Sequence, residues 1–176
     1  MTILAFLQNP YFLPTTPERY IKHFQESDDF RRRCLLRPNG TMTGKRLTRC
    51  FGDELCASII WDEATMRYGN KSSDKFPADV QYMQQRIDKI KPCVILVFGN
   101  VAKHGIEQVN TNATVYCLPH PAARVGDREF LEEFLEIANK LKETQSFGHG
   151  PPPVTRVLQV GDSMKTLFPS GISSEK

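Results

Sequence analysis

No apolar run in this chain is long enough to cross a bilayer, so a membrane-spanning role is not expected. The amino terminus, Met1 to Phe6, lacks the basic and long apolar regions of a secretory signal and reads as a strand, which predicts a cytoplasmic location. Cysteine is sparse and unpaired in pattern. Cys34, Cys50, Cys56, Cys93 and Cys117 are odd in number, scattered and never at CxxC spacing, which argues for reduced, mostly buried thiols and against a metal or iron–sulfur site. There is no GxxxxGK[ST] loop to cradle phosphates and no carboxylate cluster of metal-binding type, so neither metal nor cofactor is expected. Internal repeats are also missing.

What remains is an ordinary globular composition, with 40% hydrophobic and 24% charged residues. A chain of 176 residues accommodates one domain of about 140 to 150 residues plus a tail. We place the domain at 1–144. Residues 145–176, with Gly148, Gly150 and Pro151 to Pro153, read as an appendage carrying at most one edge strand in the β-prone run Val154 to Val160. Net charge is only +3, but from Arg31 to Arg49 there are seven basic residues and no acidic one. Such a stretch attracts a polyanion, or forms a solvated helix face.

Strand and helix signals alternate. Thr2 to Leu7, Ala57 to Trp61, Val94 to Phe98 and Ala113 to Leu118 read as strands. Thr16 and Pro17 open a helix whose stripe, Tyr20, Ile21 and Phe24, runs on towards Cys34. Thr43 caps a short helix over 44–51 closed by Gly52, Asp79 to Lys91 is helical up to Pro92, a helix begins near Val101, and Asp127 caps a last amphipathic helix with Phe130, Leu131, Phe134, Leu135, Ala138 and Leu141 on one side. This order predicts an α/β three-layer sandwich with a central, mainly parallel four-stranded sheet flanked by helices.

Two polar blocks follow strands of that sheet: Gln8-Asn9-Pro10-Tyr11-Phe12 and His120-Pro121-Ala122-Ala123-Arg124. In such sheets, loops leaving the carboxyl ends of neighbouring strands meet in one crevice. Leu7-Gln8-Asn9-Pro10-Tyr11, which contains most of the first block, resembles the GQDPY motif of the uracil-DNA glycosylase superfamily at four of five positions, allowing Asn9 for Asp. The second resembles its HPSP motif and the wedge residue that follows. Thr43-Gly44-Lys45-Arg46-Leu47 is similar to the family's SGRRL-like helix start, and Val94 to Ala102 to its LLLGxxA segment. The resemblance spans roughly residues 2 to 142.

It implies a monofunctional DNA glycosylase working as a monomer on a flipped-out nucleotide, with DNA as its partner. Asn9 would orient the attacking water and His120 would hydrogen-bond O2 of the departing pyrimidine, so these two are the candidate catalytic residues. Gln8, Tyr11, Phe12, Trp61, Asp62 and Glu63 are the candidate base-binding residues. Arg31, Arg33, Lys45, Arg46 and Arg49 would follow the DNA backbone, and Arg124 would enter the gap left by the base or contact a phosphate. No lysine in the motif loops suggests a Schiff base.

Uracil-specific relatives carry an asparagine after the second strand, where this chain has Asp62, or Glu63 if the register shifts by one. A carboxylate accepts but does not donate, so Asp62 would repel O4 of uracil and welcome N4 of cytosine. This predicts a modified cytosine in foreign DNA as target, with a role in antiviral defence. The alternatives are a uracil or mismatch repair glycosylase, and a non-catalytic DNA-binding module on the same fold.

Overall fold

The computed structural model describes residues 1–37, 40–123, 127–146 and 157–159. Five parallel strands, β1 (Ile3–Leu7), β2 (Ile59–Glu63), β3 (Val94–Phe98), β4 (Thr114–Leu118) and β5 (Val157–Gln159), lie in the order β2-β1-β3-β4-β5. The helices are α1 (Glu18–Glu26), α2 (Asp28–Leu36), α3 (Met42–Phe51), α4 (Asp53–Ser58), α5 (Val80–Ile90), α6 (Asn100–Ile106) and α7 (Asp127–Ser146).

Because side chains alternate along a strand, β1 and β3 feed two separate cores. Ile3, Ala5, Leu7, Leu96 and Phe98 pack with Leu47, Phe51, Leu55, Phe134 and Leu141 of α3, α4 and α7. Leu4, Phe6, Ile95 and Val97 pack with Met83, Ile87, Ala102 and Ile106 of α5 and α6. The result is the α/β three-layer sandwich that the alternation of elements predicts. Each fully buried Phe or Leu in these layers contributes about 1.5–3 kcal/mol. The chain leaves β1 towards the α1–α4 side and leaves β3 towards α6 on the other face, which opens a crevice at the carboxyl ends of these neighbouring strands.

Several boundaries differ from the sequence reading. The stripe from Tyr20 towards Cys34 is two helices, because Ser27 is extended (φ −116°, ψ 112°) and its side chain accepts from the Phe30 N–H at 3.2 Å, capping α2. Thr41, not Thr43, caps α3, accepting from the Gly44 N–H at 3.3 Å. The six-residue α4 is too short to show a periodic pattern, and it takes residues 57 and 58 from the expected strand. β2 then runs to Glu63, since Asp62 and Glu63 keep the register with Phe6 and Leu7. The expected edge strand of the appendage exists as β5, which pairs with Val115 to Cys117 and adds a fifth, edge strand to the four of the central sheet. α7 continues to Ser146, past the boundary placed at 144. On it Phe134, Ala138 and Leu141 are buried as the stripe predicts, while Leu135 is 45% exposed and Ile137 takes a core position instead.

Candidate functional site

A cavity of about 900 Å³ opens at the carboxyl ends of β1 and β2 and is closed on one side by the loop after β4. Gln8, Asn9, Tyr11, Phe12, Trp61, Asp62, Glu63 and His120 all border it, so strands that are distant in sequence deliver the two motif blocks to one place.

The first loop is held by a partner that sequence reading missed. Asn9 Nδ2 donates to the Asp74 carbonyl and to the Pro10 carbonyl, each at 3.2 Å, while Asn9 Oδ1 accepts from Gln8 Nε2 at 3.3 Å. Asp74 in turn accepts from the Asn70 and Lys71 N–H groups at 2.9 and 3.0 Å. Phe12 N–H donates to the Gly69 carbonyl at 2.9 Å. A Cβ on Gly69 would lie 2.3 Å from Asp74 Oδ2, so only glycine fits this clasp. Phe12 is 8% exposed and meets Tyr20, Phe24 and Tyr68 edge-to-face, whereas Tyr11 stands at the mouth, 44% exposed.

His120 Nδ1 accepts from the Ala122 N–H at 3.1 Å. Its proton therefore sits on Nε2 in the neutral ring, leaving Nε2–H as a donor. Burial, helped by the Lys75 ammonium, holds the imidazole below its ordinary value and keeps it neutral. Gly99 makes room for this loop: its φ is +85°, and a Cβ there would stand 3.1 Å from His120 Cβ.

At the end of β2 the alternation of side chains separates the two carboxylates. Asp62 borders the cavity, but its carboxylate belongs to α5: Oδ1 accepts from Tyr82 Oη at 2.7 Å and Oδ2 from Arg86 Nε. Arg86 and Arg31 both also bind Asp28, so two aspartates and two arginines form a closed, neutral network. Burial by itself would lower the Arg86 guanidinium, and the neighbouring Asp62 and Asp28 charges more than offset that and raise it. Asp62 is thus a structural residue and not the base-binding one expected, because its carboxylate is fully buried and held by Tyr82 and Arg86. Glu63 points to the opposite face, beside Leu7. Trp61 is corrected too: 1% exposed, stacked on Phe98 at 6.0 Å, and donating from Nε1 to the Cys56 carbonyl at 2.9 Å, it is a core residue.

Glu63 is 8% exposed and its Oε2 has no hydrogen-bond partner among the described residues. Burial, with the adjacent Asp62 charge, pushes its carboxyl up to about 8 from 4.5.

The basic segment divides by role. Arg31 is 3% exposed and donates to the carbonyls of Phe24, Gln25 and Trp61, the last on the free edge of β2, so it is no surface contact for a phosphate. Arg46 donates to the carbonyls of Pro121 at 2.8 Å and Ala123 at 3.0 Å, anchoring the His120 loop. Arg33 is exposed but pairs with Asp29 at 2.9 Å, an acid just outside the basic stretch. Lys45 and Arg49 are exposed on α3. Arg124 lies outside the described residues. A second cavity of about 590 Å³ shares His120 and Ala122 with the first and is bordered by Lys75 and Lys103, neither of which the sequence reading singled out.

All five cysteines are free, with Cys50, Cys56 and Cys117 buried. Among the described residues no group of His, Cys, Asp and Glu is placed to hold a metal ion, and no helix is long and apolar enough to cross a membrane. No protein-family model, curated protein or solved structure matches this chain. The glycosylase resemblance therefore rests on the motif residues themselves.

Proposed function

We propose that this chain is a monofunctional DNA glycosylase that hydrolyses the N-glycosidic bond of a pyrimidine nucleotide flipped into the 900 Å³ cavity, leaving an abasic site. The observation that supports this best is the convergence of Asn9, Glu63 and His120 on that cavity, from the ends of three parallel strands. As the C1′–N bond lengthens, negative charge develops on the base and positive charge on the sugar. The Nε2–H of a neutral His120 suits the first, stabilising O2 without giving up its proton. Asn9, anchored through its Nδ2, keeps one lone pair of Oδ1 beside the bond from Gln8 to orient the water whose oxygen forms the new bond to C1′; the bonding pair leaves with the base, and the water's proton passes to solvent or to the base. Among the described residues no lysine lines this cavity, in keeping with a hydrolytic route without a Schiff base.

Phe12 and Tyr11 supply aromatic surface for the base. The flanking phosphates would run past Lys75 and Lys103 in the adjoining cavity and past Lys45 and Arg49 on α3. We place the enzyme in the cytoplasm, acting as a monomer. The case for a cytosine derivative drawn from Asp62 falls with the pairing of that carboxylate, so the target is proposed as a pyrimidine, and a defence role depends on which one.

The test is strand cleavage by alkali after incubation with matched oligonucleotides carrying uracil, cytosine, hydroxymethylcytosine or glucosylated hydroxymethylcytosine, with His120→Ala as control. We expect cleavage at one or more of these bases and its loss in His120→Ala. Cleavage at none, with DNA still bound, would replace the proposal by a non-catalytic DNA-binding module.

A further inference from the structure

Among the described residues Glu63 forms no ion pair, although Arg31 lies near enough to attract it. Glu63 closes β2, it borders the cavity, and its Oε2 has no hydrogen-bond partner among the described residues. The charged groups around it do not repair this. On its own strand, Asp62 adds like charge. From α2, Arg31 attracts it, but the donors of Arg31 already go to Asp28 and three backbone carbonyls. Arg37 and Cys34 border the cavity from the end of α2, Tyr20 from α1, Asp74 from the loop clasping Asn9, and His120 from the loop after β4, the last held neutral. A buried oxygen without a partner, on the wall of a cavity, is a group that a ligand can engage.

We infer that Glu63 works as a neutral carboxylic acid that reads the Watson–Crick edge of the flipped base, donating with its O–H and accepting with its C=O, an inference that rests on the glycosylase reading. Uracil offers an N3–H donor beside the O4 acceptor, and cytosine offers an N3 acceptor beside its N4 amino donor. An amide must rotate to serve both patterns. A carboxylic acid serves both by moving its proton from one oxygen to the other. The substrate class is therefore any pyrimidine with adjacent donor and acceptor on that edge, uracil-type and cytosine-type alike, and selection among them falls to groups near C5 such as Tyr11. Ionisation removes the donor, so recognition of both types fails together as pH rises.

Cleavage of the uracil and hydroxymethylcytosine oligonucleotides is measured against pH for the native protein, Glu63→Gln and Glu63→Ala, alongside calorimetric binding of free uracil and free cytosine. The native rate on each substrate it cleaves is expected to fall about tenfold per pH unit above the Glu63 transition. Glu63→Gln, which keeps a donor and an acceptor at every pH, should lose that limb whatever its absolute rate, whereas Glu63→Ala should fall roughly 100-fold. An unchanged alkaline limb in Glu63→Gln, or native activity in Glu63→Ala, would overturn the inference while leaving the glycosylase reading intact. If nothing is cleaved, the glycosylase reading fails and the binding data decide on Glu63: nucleobase affinity that is lost with rising pH in the native protein but not in Glu63→Gln supports it, and pH-independent or absent binding overturns it.

Discussion

The guanidinium of Arg46 donates to the Pro121 carbonyl at 2.8 Å and, with the same nitrogen, to Ala123 at 3.0 Å, tying α3 to the loop that carries His120. A residue that reads as a DNA-backbone contact in sequence thus acts on the imidazole through its loop. We expect Arg46→Ala to lower the single-turnover rate by about 10- to 100-fold through misplacement of His120. Its effect on DNA affinity should be smaller than that of Lys45→Ala or Arg49→Ala, and the salt slope of binding should stay unchanged. Kinetics and a salt titration on the same variant check this; loss of affinity with an unchanged rate would make Arg46 a phosphate contact after all.

Lys45 and Arg49, exposed on α3, are predicted to act on DNA of any sequence alike. Each alanine variant should weaken binding uniformly and reduce the slope of log affinity against log salt by about one. Equal slopes for variant and native protein would remove α3 from the interface.

The network of Asp62, Arg86, Asp28 and Arg31 is charge-balanced, with Asp28 at its exposed end and Asp62 fully buried, so removing Arg86 strands the Asp62 charge. Arg86→Ala should destabilise the fold by roughly 3–5 kcal/mol in denaturant unfolding. Tyr82→Phe, which removes one hydrogen bond to Asp62, should cost about 1–2 kcal/mol. Asp62→Asn should lower stability and leave the preference among pyrimidines unaltered; a switch of base preference would return Asp62 to the recognition site.

Gly99 holds φ +85° and ψ 170°, a region essentially restricted to glycine, with His120 packed against it. Gly99→Ala is expected to cost about 1–3 kcal/mol and to reduce activity by displacing the His120 loop. Thermal unfolding and single-turnover rates measure the two effects separately.

The pH dependence has two signed contributions. In the fold the Glu63 carboxyl is raised to about 8 from 4.5, so the stability it contributes is complete below about 4.5 and is lost as pH rises towards 8. His120 is held below 6.5, so its contribution is present above that value and is lost as pH falls through it. Activity should accordingly show an acid limb that disappears with protonation of His120 and an alkaline limb near pH 8. Thermal unfolding at pH 5 and pH 9 should show a fall for the native protein that shrinks in Glu63→Gln; an equal fall in both would assign the titration elsewhere.

Periodicity alone determined much of this molecule. Val94 to Phe98 announces a strand buried on both faces because every residue in it is apolar, and Asp79, Gly52 and Pro92 mark helix ends by local chemistry that needs no tertiary partner. The blocks around Asn9 and His120 were legible for the same reason: each follows an apolar run, and parallel strands send such loops to a common end. What long-range pairing decided lay beyond local pattern. Two charged residues read as loop, yet Asp62 and Glu63 stay in β2 because Phe6 and Leu7 hold the register and Arg86 and Tyr82 come from 20 or more residues away to serve one of them. A shift of one position along a strand reverses the face a side chain meets, so which of the two carboxylates turns to Tyr82 and Arg86 of α5 could be fixed only by that register. In the same way, the basic residues share one charge in sequence, and only packing separates Arg31 on a strand edge and Arg46 on a loop from Lys45 and Arg49 at the surface.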